Sequence, residues 1–138
     1  MTIDEVKAWL RSYRWLQAEI DRTEEEIEQW RARAARLTQS FSGMPSGSGS
    51  SDQIPNAVEK IAELEEMLNR KIHSLTEKRI AIEKAIVSLP DKQRLALHYY
   101  YIEGMTWEEV REKLQHEDVR QVHRIHGAAL LNLRKMSL

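Results

Sequence analysis

The chain lacks cysteine, and it has only three prolines and five glycines among its 138 residues. Without cysteine, neither a disulfide nor a cysteine-ligated zinc site can form. No apolar run approaches the roughly 20 residues that a membrane-spanning helix needs, and no basic-then-apolar leader opens the chain. We therefore expect a soluble cytoplasmic protein. The scarcity of proline and glycine predicts long helices, with one break where three glycines cluster at positions 43, 47 and 49.

Two long amphipathic stretches flank this glycine cluster. Apolar residues recur in each at steps of three and four, which is typical of a coiled-coil seam. The first helix is predicted over residues 3–37, with a Thr2–Glu5 capping box at its start. The second is predicted from Asn56, as its cap, to the residue before Pro90. The seam positions are Val6, Trp9, Tyr13, Leu16, Ile20, Thr23, Ile27, Trp30, Ala34 and Leu37, then Ala57, Ile61, Leu64, Leu68, Lys71, Leu75, Lys78, Ile82, Ala85 and Leu89.

The segment between the two helices, residues 38–56, reads TQSFSGMPSGSGSSDQIPN and is rich in serine and glycine. This composition predicts a flexible hinge. Each helix would span roughly 50 Å, whereas such a loop typically reaches roughly 25 Å and so joins adjacent helix ends. We therefore predict a long antiparallel helical hairpin, a coiled coil, over residues 1–89.

Apolar residues beside the two seams indicate a second packing surface. They are Leu10, Trp15, Val58 and Ile72. We expect them to join copies of the chain into a homo-oligomer, most simply a dimer. The alternative is a hairpin that packs only on its own C-terminal domain.

Residues 90–138 change to short helices. One is predicted from Asp91 to Ile102, and Gly104 stops it. Thr106 then opens a capping box for a helix over residues 107–114, and a turn at 115–118 leads to a last helix from Val119 towards Met136. A short helix, a tight turn and a longer helix form a helix-turn-helix, so we predict an all-α protein with a small DNA-binding domain at 90–138.

The last helix carries no acidic residue, although the formal net charge of the chain is only −1. Its inward face is predicted to be Val122, His126, Ala129 and Leu133. Cations near a helix C-terminus interact favourably with the helix dipole, which explains Arg134 and Lys135. Arg120 and Arg124 lie near the N-terminal end, where DNA phosphates and guanine edges would favour them. We predict groove contacts from Arg120, Gln121, His123 and Arg124, and weaker backbone contacts from Lys92, Arg94, Tyr100, Thr106 and Trp107.

The same region resembles the fourth region of bacterial sigma factors, a helix-turn-helix that reads promoter elements. The matching residues are Leu89-Pro90, Gln93-Arg94, Tyr101-Ile102-Glu103-Gly104, Thr106, Glu109-Val110, Leu114, Val122 and Ala129-Leu130. Gln115 stands where the turn usually has glycine, and Asp118 stands at the usual serine cap.

The chain as a whole resembles small phage and prophage transcriptional regulators of Gram-positive bacteria. The likeness is carried by Ser42-Gly43-Met44-Pro45, Ile61-Ala62-Glu63-Leu64-Glu65 and Arg124-Ile125-His126-Gly127. It implies a regulator of late phage genes that acts on double-stranded DNA in the bacterial cytoplasm, in association with the nucleoid and with RNA polymerase as a further partner. Two alternatives are a subunit that recognises DNA for phage packaging and an adaptor that binds polymerase without reading DNA.

Enzymatic and metal-dependent functions find little support. His123 and His126 are three residues apart but point to different faces of the last helix, and the chain has no H-E-x-x-H pattern. No glycine-rich phosphate loop or nucleophile elbow is present. We therefore expect no catalytic residue, no metal and no cofactor.

Overall fold

The computed structural model describes residues 1–42 and 53–136, and the regular structure of these residues is entirely helical. The elements are α1 (Ile3–Ser42), α2 (Gln53–Ile86), α3 (Asp91–Leu97), a π-helical segment (His98–Ile102), α4 (Trp107–Leu114) and α5 (Val119–Lys135). The all-α prediction of a long helix pair followed by small helices is confirmed.

The predicted limits of the hinge are wrong on both sides. Helix α1 continues to Ser42, and α2 begins at Gln53, so residues 38–42 and 53–56 are helical. Asn56 therefore lies inside α2 and does not cap it. Pro55 is tolerated because it occupies the first turn, where a backbone N–H has no partner within the helix. The rest of the predicted hinge, residues 43–52, lies outside the described residues.

Residues 18–74 form one compact unit, in which α1 and α2 run antiparallel. Lys71 Nζ donates to Thr23 Oγ1 at 3.2 Å, and the Arg31 guanidinium contacts the Glu65 carboxylate at 2.8 Å. The partner's number falls as the number along α1 rises, which defines the antiparallel direction. Lys71 occupies a predicted seam position, and its bond to Thr23 satisfies its charged end there.

Residues 1–17 and 75–138 form a second compact unit. Its main core joins the start of α1, the end of α2, the π-helical segment and α5. The buried members are Val6, Leu10, Tyr13, Ile82, Ala85, Ile86, Leu89, Leu97, Tyr101, Ile102, Ala129, Leu130 and Leu133. Compact packing thus divides the chain differently from the predicted boundary at residue 90, and the assignment of a separate function to residues 90–138 stays a prediction.

The expectation that Leu10 helps to join copies of the chain is wrong. Its side chain is fully buried in the core of this second unit, so it cannot contribute to a surface for another copy. Trp15, Val58 and Ile72 are exposed, with Trp15 retaining 74% of its accessible area. These three residues remain candidates for an oligomer contact.

A smaller cluster holds the helix-turn-helix together. Ala96 from α3, Val110 and Leu114 from α4 and Val122 from α5 are buried against one another. Thr106 caps α4 through the predicted capping box, since its hydroxyl accepts from Glu109 N at 3.2 Å and the Glu109 carboxylate accepts from Thr106 N at 3.1 Å. The short helix before the turn therefore has both a defined start and a buried face.

The turn between α4 and α5 contains a left-handed residue. Gln115 has φ 58° and ends α4, at the position where glycine is usual in such turns. The left-handed conformation is costly for a residue with a Cβ atom. The turn is therefore strained at one residue while it sets the direction of α5.

Candidate nucleic-acid interface

Arg120 lies at the start of α5 and is exposed to solvent, but it has an acidic neighbour. Asp118 caps the helix by accepting from Arg120 N at 2.7 Å, and its other oxygen lies 2.9 Å from the Arg120 guanidinium. The hydrogen bonds from Arg120 lower the pKa of the Asp118 carboxyl. The Arg120 side chain keeps 85% of its accessible area, and an ion pair so open to water is weak. Arg120 can therefore exchange Asp118 for another anion.

Gln121 does not take part in this cap. Its Oε1 lies 2.8 Å from His116 Nδ1 in the turn. Because an amide oxygen only accepts, Nδ1 is the donor in this arrangement, and the amino group of the exposed Gln121 remains available as a donor. The His116 Nε2 atom is buried and has no hydrogen-bond partner within the described part of the chain. His116 thus fixes how Gln121 is presented.

His123 and Arg124 complete the predicted groove-contacting set, and both are exposed. Within the described ranges, Arg124 forms no ion pair. The His123 ring lies 5.0 Å from the ring of Trp107 at the start of α4. Trp107 in turn stacks on Tyr100, with ring centroids 3.8 Å apart and planes inclined by 12°. The rings of His123, Trp107 and Tyr100 are therefore neighbours in a row that runs from the exposed face of α5 past the start of α4.

The inward face of α5 agrees with the prediction, since Val122, His126, Ala129 and Leu133 are all buried. Burial lowers the pKa of His126 to about 4 and raises the pKa of Tyr101 to about 12. Both groups are therefore neutral at pH 7. The buried face anchors α5 so that its opposite side points to solvent.

Three of the five predicted backbone-contacting residues line one cleft. Tyr100, Thr106 and Trp107 surround a volume of about 480 Å³. Lys92 and Arg94 lie instead on α3, where Lys92 is exposed and Arg94 pairs with Asp91 at 3.0 Å. Neither residue lines this cleft.

The cleft also contains three residues of α1, Arg11, Arg14 and Trp15. The sequence analysis did not predict a role for the two arginines, and it assigned Trp15 to self-association. The Arg14 guanidinium lies over Gly104, so close that a Cβ atom added there would clash with it. Arg11 and Arg14 share one face of α1 off its apolar seam, which was the available sequence signal. Nothing in the sequence indicated which element this face would meet.

Comparison of the chain with protein-family models, with curated proteins and with solved structures finds no significant match. Within residues 1–42 and 53–136, no helix is both long and apolar enough to cross a membrane. The same residues contain no cluster of three or more histidine and acidic side chains placed to hold a metal ion.

Proposed function

We propose that the protein is a sequence-specific regulator of transcription that binds double-stranded DNA through α4 and α5. One observation carries the proposal. The N-terminal half of α5 exposes Arg120, Gln121, His123 and Arg124, while its other face is buried in the core. In a helix-turn-helix the second helix enters the major groove by this end.

The distribution of charge supports a polyanionic partner. Helix α5 has no carboxylate after its Asp118 cap, so nothing along it repels phosphates. Acidic side chains in the first turn of α4 are already engaged. Glu108 pairs with Arg111 at 2.6 Å, and Glu109 closes the capping box.

The chemistry of the exposed side chains suits base readout. An arginine fork can contact O6 and N7 of guanine together, and each such pair discriminates by about 1–3 kcal/mol. Gln121, with its oxygen held by His116, presents donors that favour base acceptors in the groove. Two arginines and one oriented amide can therefore specify several base pairs.

The wider role is part of the same proposal and is supported by the sequence resemblance alone. It is regulation of phage or prophage genes in the cytoplasm of a bacterial host, with RNA polymerase as a second partner. A homodimer would place two recognition helices on one duplex. Trp15, Val58 and Ile72 are among the exposed apolar residues of the described chain, and such a dimer could cover them.

The test begins with selection of fragments bound by the whole protein from host and phage genomic DNA. A selected duplex is then titrated with wild type, with the double variant Arg120→Ala and Arg124→Ala, and with a control, Arg134→Ala and Lys135→Ala. The control removes two cations from the far end of the same helix. We expect the first variant to lose at least roughly tenfold of the preference for the selected duplex, and the control to keep that preference.

The proposal fails if the wild type selects no duplex, or if the Arg120/Arg124 variant discriminates between duplexes as well as wild type does. A protein that captures RNA polymerase equally well with and without these arginines, and binds no DNA, would be an adaptor. Binding to a packaging site by a ring of more than two copies would indicate a packaging subunit.

A further inference from the structure

The cleft between α1 and the start of α4, which we call the α1 cleft, is lined by Arg11, Arg14, Trp15, Tyr100, Thr106 and Trp107 among others. Its lining includes two guanidinium groups and no carboxylate. Trp15 is the most exposed large apolar residue of the described chain, at 74%. Exposed arginines without a neighbouring carboxylate suit an anionic ligand such as phosphate, whose oxygens the guanidinium fork can contact in pairs.

The α1 cleft adjoins the face of α5 that we assign to the DNA groove. Trp107 belongs to the cleft lining and lies 5.0 Å from the His123 ring. Tyr100 also lines the cleft, and the centroid of its ring lies 3.8 Å from that of the Trp107 ring. Taken together, the two centroid distances are shorter than the roughly 12 Å width of the major groove. A duplex seated on α5 would therefore bring the phosphates at one edge of its groove to the cleft.

One of the two arginines in the cleft, Arg14, is held in place by the backbone around Gly104. The Arg14 guanidinium lies over the backbone of Gly104, which has φ 71°, and Arg14 Nη1 is 3.5 Å from the carbonyl oxygen of Ile102. Any side chain at position 104 would displace the guanidinium. Neither Arg11 nor Arg14 forms an ion pair within the described residues, so their charges are not neutralised locally.

We propose that the α1 cleft binds the phosphate backbone of the duplex beside the groove that α5 reads, with Arg11 and Arg14 as phosphate contacts. The inference rests on the proposed function. It assigns the start of the long hairpin to the DNA interface, in addition to any role in oligomerisation. The bound site is then longer on one side than the helix-turn-helix alone would cover.

The decisive variant is Arg11→Gln with Arg14→Gln. Its matched control is Arg33→Gln with Arg36→Gln, which removes the same charge from the same helix at the same spacing, at exposed positions outside the cleft. Affinity for the selected duplex and for an unrelated duplex is measured as a function of salt. Thermal unfolding of each variant is recorded beside these titrations.

We expect the cleft variant to bind both duplexes roughly 5- to 20-fold more weakly, because each exposed charge pair contributes modestly. The slope of log K against log salt should fall by about 2, close to 0.9 for each lost phosphate contact. The preference for the selected duplex over the unrelated one should not change. The Arg33/Arg36 control should match wild type. Arg14→Lys keeps the positive charge and should show most of the salt slope that the double variant loses.

A second measurement uses wild type and does not depend on the folding of a variant. Hydroxyl-radical footprinting maps the protected backbone, and the duplex is then shortened at either end of the central protected bases. Shortening one end should weaken wild type by the same factor as the double substitution, and should leave the Arg11/Arg14 variant unaffected.

Failure of this inference and failure of the proposed function give different results. If the Arg11/Arg14 variant equals its control while the Arg120/Arg124 variant loses its preference, the cleft is not a DNA site but the proposed function stands. If the cleft variant loses polymerase binding and keeps its DNA affinity, the occupant is an acidic protein surface and the inference is rejected. If wild type binds no duplex, both fail.

Discussion

The hydroxyl of Tyr101 lies 2.8 Å from Nε2 of His126, inside the core that joins the π-helical segment to α5. Because burial lowers the pKa of the His126 imidazole, its ring is neutral at pH 7, and Nε2 can accept from Tyr101. This bond ties the π-helical segment to the buried face of α5. Protonation of His126 would remove the acceptor at Nε2 and so disrupt this bond.

The first prediction concerns acid stability. The pKa of His126 is about 4 in the folded protein and about 6.5 in the unfolded chain, so the unfolded state binds more protons between these values. Stability that is present above pH 6.5 should be lost as the pH falls towards 4, by as much as about 3 kcal/mol. Urea unfolding at a series of pH values measures this loss.

The control for this prediction is His126→Gln, which keeps an acceptor for Tyr101 but does not titrate. The difference in unfolding free energy between wild type and this variant should shrink as the pH falls from 6.5 to 4. A constant difference across that range would show that His126 does not carry the acid sensitivity.

The second prediction concerns two residues with positive φ in the described part of the chain, Gly104 at 71° and Gln115 at 58°. Gln115→Gly should stabilise the protein by roughly 0.5–1 kcal/mol, since relief of the left-handed strain exceeds the entropy cost of glycine. Gly104→Ala should destabilise it by at least about 1 kcal/mol and displace Arg14. Chemical denaturation of both variants tests the opposite signs, and equal signs would contradict the backbone assignment.

The third prediction concerns the cap of α4, a helix of only eight residues. Thr106→Ala removes the oxygen that accepts from Glu109 N and should cost about 1 kcal/mol of unfolding free energy. Thr106→Ser keeps that oxygen and should retain most of the stability. If serine and alanine have equal effects in denaturant titrations, the cap bond contributes nothing and the methyl group matters instead.

The fourth prediction depends on the proposed function and concerns His116, which orients the amide of Gln121. His116→Ala should broaden the base preference at one position of the selected site while leaving the salt dependence of binding unchanged. Gln121→Ala should broaden the same position, and the double variant should add little to either. Selections with randomised sites measure the preference, and additive effects would show that the two residues act separately.

Periodic features of the sequence predicted where the α-helices lie and which sides of them are buried. The steps of three and four along α1 placed Val6, Tyr13 and Ile20 on its buried side, and the 100° spacing in α5 identified Val122 and His126 as inward. The Thr106 capping box was equally local. Such features depend on residues within one or two turns, so they can be read without the rest of the chain.

Predictions at the edges of elements were less successful. The serine- and glycine-rich composition of residues 38–56 indicated a break, yet α1 continues to Ser42 and α2 begins at Gln53. Proline in the first turn of a helix is compatible with helical geometry, so Pro55 did not delay α2. The π-helical segment at 98–102 was also missed, because its i to i+5 bonding, as from Glu103 N to His98 O at 3.0 Å, has no simple sequence signature.

The sequence by itself determined that the chain forms helices, where their apolar sides lie, and that α5 carries cations without acids. Only the tertiary structure decided that Leu10 is buried and that Arg14 lies over Gly104, 90 positions along the chain. The physical reason is one of range. Helical hydrogen bonds and side-chain periodicity act within a few residues. Which element packs against a helix face away from the apolar seam depends on core residues that are distant in the sequence.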